Sequence, residues 1–82
     1  MTPLRLFGDM VRTRRKALGL TQQQLADQTG LTRTYVGQLE RGQKNISLLN
    51  MLTIARALHV KATTLLAPLD VSSDVPPPHD PL

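Results

Sequence analysis

The chain predicts an all-α fold, a compact bundle of five short helices, and three observations carry that expectation. Apolar residues recur at three- and four-residue spacing through successive segments, the period of an α-helix. Between the segments stand helix-stopping and helix-starting residues: Gly19, Gly30 and Gly42 on one side, Thr2, Thr21, Thr32 and Ser47 on the other. No sustained alternation of apolar and polar residues marks a strand, and the chain holds one Tyr and one Phe, so the aromatic clustering that strands favour is missing. With 82 residues the chain is one domain, near the lower size at which a single core suffices, and oligomerisation would help it. Residues 1–68 are expected to form that domain and residues 69–82 a Pro-rich acidic tail, disordered or extended.

Thr2 and Pro3 open the first helix, a hydroxyl N-cap followed by proline where no N–H is needed. The helix runs to about Leu18, with Leu4, Phe7, Val11 and Leu18 as its inward stripe and Gly19 as its stop. Arg12, Arg14, Arg15 and Lys16 crowd its last turns, where the helix dipole favours cations. Arg14 and Arg15 both flank the apolar stripe, and periodicity does not choose between them. Thr21 with Gln24 makes a capping box, so the second helix starts at Gln22 and turns Leu25 and Ala26 inward until Gly30 breaks it. Thr32 caps the third, whose inner side holds Tyr35, Val36 and Leu39 and whose outer side holds Arg33, Thr34, Gly37, Gln38 and Arg41. After a turn over Gly42 to Asn45, Ser47 caps the fourth helix, with Leu48, Leu49, Leu52, Ala55 and Leu58 expected to face inward. Lys61 to about Ala67 makes the fifth, and Pro68 stops it.

Composition excludes several function classes. There is no cysteine and there are two isolated histidines, so neither a disulfide nor a metal site is expected. No apolar run approaches the roughly 18 residues of a membrane span and no export signal opens the chain, which points to a cytoplasmic protein with no membrane partner. No nucleophile and base, no pair of acids and no Gly-rich phosphate loop come together, so no catalytic residue and no cofactor are expected and the chain is not read as an enzyme. The formal charge of +4 hides an asymmetry: all ten basic residues lie between Arg5 and Lys61. Against them the first 67 residues carry only Asp9, Asp27 and Glu40, a net of +7, which suits a polyanionic partner.

The run from Gln22 to Gly42, Q-x-x-L-A-x-x-x-G-L-T-R-T-Y-V-x-x-L-E-R-G, resembles the helix-turn-helix of the lambda repressor and Cro family (XRE-type), and the resemblance extends over about residues 4–67. Within that family, Thr32 to Asn45 is most similar to the controller proteins of restriction-modification systems. The resemblance implies a lambda-repressor-like DNA-binding domain with the second and third helices as the helix-turn-helix. It also implies an inward ion pair between Arg15 and Glu40. Where the family usually has Pro this chain has Ile46, and where it has Gly this chain has His59, which must then take a conformation that Gly adopts more easily. An exposed capping histidine is the plain reading of His59, and a pH sensor is the alternative.

The third helix presents a guanidinium, hydroxyls and an amide, groups that read base edges in the major groove. Arg bonds guanine O6 and N7 bidentately, and Gln does the same for adenine N6 and N7. Arg33 and Gln38 are therefore the expected readers, with Thr34 beside them. Gln22, Thr32, Tyr35, Arg41, Lys44 and Asn45 are expected on the DNA backbone, Gln22 with help from the free N–H groups of a helix start. Gly37 costs its helix about 1 kcal/mol relative to Ala, which a close approach to DNA would explain, a tolerated accident being the alternative. Readers of this kind usually pair on two half-sites. A homodimer through Val60, Leu65, Leu66 and Leu69 is expected, apolar residues left over from the core. The leading reading is a sequence-specific transcriptional regulator bound to an operator in double-stranded DNA. The alternative is an antitoxin-like interaction module that autoregulates its promoter, and a second protein, a toxin or a polymerase, is the further partner it leaves open.

Overall fold

The computed structural model describes residues 2–71, and these form helices α1 (Pro3–Ala17), α2 (Gln22–Thr29), α3 (Arg33–Glu40), α4 (Leu48–Ala57) and α5 (Ala62–Leu66), followed by a 3-10 turn (Ala67–Val71). No strand occurs among the described residues. Each of the first four helices starts on a hydroxyl: Thr2, Thr21, Thr32 and Ser47 accept from Arg5, Gln24, Tyr35 and Asn50 N–H. Removing such a cap costs about 1 kcal/mol. Helix α4 ends in a Schellman motif, with the His59 N–H on the Arg56 carbonyl and the Val60 N–H on the Ala55 carbonyl, both at 3.1 Å. His59 sits there at φ 58°, the left-handed conformation that Gly usually takes.

One core joins all five helices: Phe7 and Val11 from α1, Leu25 and Ala26 from α2, Val36 and Leu39 from α3, Ile54 and Ala55 from α4, Leu58 at its C-cap, and Leu65 from α5. At Gly8, α1 meets the end of α3 backbone to backbone. A Cβ added there would lie 2.7 Å from the Glu40 carbonyl oxygen, with the Leu39 carbonyl oxygen closer still. No other residue fits without shifting α3.

Three expectations need correction. Leu18 is the C-cap of α1, one residue past the last helical residue Ala17, and lies 37% exposed although its spacing keeps it on the face of Val11. Leu48, Leu49 and Leu52 point outward, 66%, 75% and 47% exposed. Helix α4 is apolar on two faces, and at about 100° per residue Met51, Ile54, Ala55 and Leu58 make as good a stripe as the leucines do. The core takes the former set, with Met51 packed against it from the rim. Leu65 is fully buried, so it belongs to the core and not to a surface that a second chain could cover. Val60, Leu66 and Leu69 are half-buried against the same core. The packed part thus runs past Pro68 into the 3-10 turn, while the Pro-rich tail beyond Val71 lies outside the described residues.

Candidate nucleic-acid interface

Helices α2 and α3 are joined by a tight turn. Gly30 at φ 74° lets the chain leave α2, and Thr32 restarts it two residues later. Thr21 and Gln24 bond reciprocally at the start of α2, at 2.8 and 3.0 Å. Four residues of α3 face its neighbours and are buried, Val36, Gly37, Leu39 and Glu40. Arg33, Thr34 and Arg41 are exposed on the other side, with Gln38 half-exposed between them. One arc of a short helix therefore offers two guanidinium groups, a hydroxyl and an amide, and no acid.

What aims that arc is a buried ion pair. The Arg15 Nε and Nη2 donate to the two Glu40 carboxylate oxygens at 2.6 and 2.9 Å, and Nη1 donates to the Leu20 carbonyl at 2.8 Å. Arg15 is 7% and Glu40 4% exposed, so both charges are out of water and each depends on the other. The hydrogen bonds to Glu40 hold the Arg15 guanidinium pKa above its usual value despite burial, so Arg15 stays charged at any physiological pH. Gln22 completes the network, its Nε2 donating to Glu40 Oε1 at 3.2 Å. Its carboxamide lies across Gly37, where a Cβ would stand 3.7 Å from Gln22 Oε1 and 3.3 Å from Arg41 Nη1. Gly37 thus makes room for Gln22 and Arg41, an internal reason for a glycine there.

The proposed backbone contacts gather at the two ends of α3. At the start are Thr32 and Tyr35, with the Lys44 ammonium 5.9 Å from the Tyr35 ring centroid and the Asn50 Nδ2 donating to the Tyr35 hydroxyl at 3.3 Å. Near its end Arg41 donates to Gln43 Oε1 at 3.2 Å, and Asn45 is exposed in the loop that follows. Sequence reasoning passed over Asn50, Gly8 and Arg5, and it gave no partner to Arg14. Arg5 donates to the Arg41 carbonyl at 3.4 Å. Arg14 donates to the Leu58 carbonyl at 3.2 Å, so of the two arginines flanking the α1 stripe Arg15 holds α3 and Arg14 the end of α4. A glycine amid the stripe Leu4, Phe7, Val11 was the readable signal of the α1 to α3 backbone contact, beside the Arg15 and Glu40 pair that the family resemblance implied. No helix among the described residues is long and apolar enough to cross a membrane.

Comparison with known proteins agrees with this geometry. The helix-turn-helix family model matches residues 11–65. Control protein C.SmaI of Serratia marcescens is 38% identical over 61 residues, 74% of this chain and 73% of that protein. The crystal structure of the restriction-modification controller protein C.AhdI from Aeromonas hydrophila is 48% identical, with a TM-score of 0.74 over 76% of this chain and 94% of that one. The P22 c2 repressor, solved in complex with a synthetic operator, is 29% identical with a TM-score of 0.69, covering 72% of this chain and 89% of that one.

Proposed function

The chain belongs to the helix-turn-helix family, and from that premise we propose that it is a sequence-specific transcriptional regulator of the controller or repressor type, binding an operator as a homodimer in the cytoplasm. The observation that carries the reading is the polar, acid-free arc of α3 held at a fixed angle by the Arg15 and Glu40 pair. Rigid presentation matters because base readout depends on placing a guanidinium fork against guanine O6 and N7. Arg33 and Gln38 read bases, with Thr34 beside them. Gln22, Thr32, Tyr35, Arg41, Lys44 and Asn45 hold the phosphates and set register.

The dimer forms through the outer face of α4. Leu48, Leu49 and Leu52 are exposed on α4, the last two beside Thr53 and Arg56, and exposed apolar surface of that kind suits an interaction site. A second copy suits it because two half-sites need two readers. The hydrogen bond from Asn50 to Tyr35 ties α4 to α3 within a turn of the patch, so joining two copies there brings two recognition helices close together.

Selecting bound sites from random duplexes tests the reading, with a paired, roughly symmetric site as the expected product. Arg33→Ala should then lose about 1–3 kcal/mol of discrimination at one base pair, while Lys44→Ala weakens binding to selected and random duplexes alike. Equal losses on both duplexes from Arg33→Ala remove it from the reading role.

A further inference from the structure

We propose that Asn50 is a positioning residue that holds the Tyr35 hydroxyl as a hydrogen-bond donor aimed at a DNA phosphate. The inference rests on the DNA-binding reading above and adds to it a residue from outside the helix-turn-helix. Three side chains from three segments converge at the start of α3: Tyr35 from its first turn, Lys44 from the loop and Asn50 from the first turn of α4. The Asn50 Nδ2 donates to the Tyr35 oxygen, which fills one of its acceptor sites and leaves the phenolic proton uncommitted. A phosphate oxygen only accepts. A tyrosine whose proton is free fits it, whereas a tyrosine already donating to a neighbour would turn lone pairs towards it. A donated hydrogen bond also polarises the hydroxyl and strengthens the bond it makes onward. The Lys44 ammonium above the ring adds positive potential at the same place. Ser47 fixes the Asn50 backbone by accepting from its N–H at 3.1 Å, so the carboxamide starts from a capped helix end.

The test is a double-variant cycle on the full chain. Asn50→Ala and Asn50→Asp are each made in the parent and in the Tyr35→Phe background, and affinity is measured for a random-sequence duplex of about 30 base pairs, because phosphate contacts do not depend on sequence. Asn50→Ala is expected to weaken binding about three- to tenfold in the parent and by less than about twofold in the Tyr35→Phe background, the size of one lost hydrogen bond. Asn50→Asp separates positioning from simple bracing. Its carboxylate keeps a hydrogen bond to Tyr35 but reverses it, so thermal stability should hold while affinity falls more in the parent than in the Tyr35→Phe background. The added negative charge acts in both backgrounds and cancels in the comparison. Tyr35 is the only tyrosine and there is no tryptophan, so intrinsic emission reports this side chain alone. Duplex should quench it in the parent and less in Asn50→Asp. Equal losses in the two backgrounds, with a parent chain that binds, overturn the inference and leave the DNA reading intact. A parent that binds no duplex at low salt overturns both.

Discussion

The junction of α1 with α3 and the outer face of α4 are built on opposite plans. The first is tied by a bidentate ion pair closed to water, one further hydrogen bond from the same guanidinium to the Leu20 carbonyl, and a glycine that lets two backbones touch. The second is bare: three leucines, 47% to 75% exposed, on a helix whose other side is in the core. The contrast is between a finished contact and an open face. The junction is complete within one chain and fixes how α3 stands, while the α4 face is where the reading proposed above places a second copy.

The sharpest way to break the comparison is to unbalance the ion pair. Glu40→Gln leaves a charged guanidinium buried without its counter-ion, and Arg15→Met leaves the carboxylate so; each should cost about 3–5 kcal/mol in thermal melts, because an uncompensated buried charge is at stake. A change within about 0.5 kcal/mol for both would make the pair equivalent to a surface contact and erase the contrast. Gly8→Ala comes next. Its methyl group meets carbonyl oxygens of Leu39 and Glu40, and main-chain atoms cannot swing aside, so a loss of about 1–3 kcal/mol is expected although alanine is the better helix former. A stabilised Gly8→Ala would mean that α1 and α3 slide easily past one another.

On the α4 side the effect should fall on association. Leu49→Glu places a carboxylate on the most exposed of the three leucines, so folding stability should move by no more than about 0.5 kcal/mol. Sedimentation should nevertheless show the dimer weakened at least about tenfold, some 1.4 kcal/mol. If Leu49→Glu stays dimeric and a variant at Leu66 or Leu69 does not, the interface lies on the half-buried edge of α5 and the 3-10 turn, and α4 is only an apolar surface.

How far the sequence could be read follows the same division. Helix starts and stops were legible because they are local: Thr21, Thr32 and Ser47 cap through bonds to residues three positions away, and Gly30 ends α2 in place. The five-helix order follows from them. Which side of α4 faces in was not legible, since a helix apolar on two faces has two stripes of equal period and only its neighbours decide. The choice between Arg14 and Arg15 needed family resemblance for the same reason: both flank the stripe, and both do bond inward, to different helices. Asn50 escaped notice because its partner lies 15 residues away and no local pattern records such a bond.

The smallest effect concerns the seam between the two plans, where α4 passes from its bare half to its anchored end. His59 closes α4 at φ 58°, a conformation costing an L-residue roughly 1–2 kcal/mol that glycine escapes. Glycine in turn loses more backbone freedom on folding, about 0.4–1 kcal/mol. His59→Gly should therefore stabilise the chain by somewhat under about 1 kcal/mol, a rise of a few degrees in the melting midpoint for a domain of this size. The Arg14 bond to the Leu58 carbonyl involves the residue before it and should survive, so α4 should keep its angle and the dimer its affinity. A higher midpoint with unchanged dimerisation means that the strain is local and the two halves of α4 are independent. A lower midpoint would mean that the imidazole makes a contact worth more than the strain, and a stabilised monomer with weakened dimerisation would mean that the end of α4 sets the angle of its exposed leucines, coupling the two regions that the structure separates.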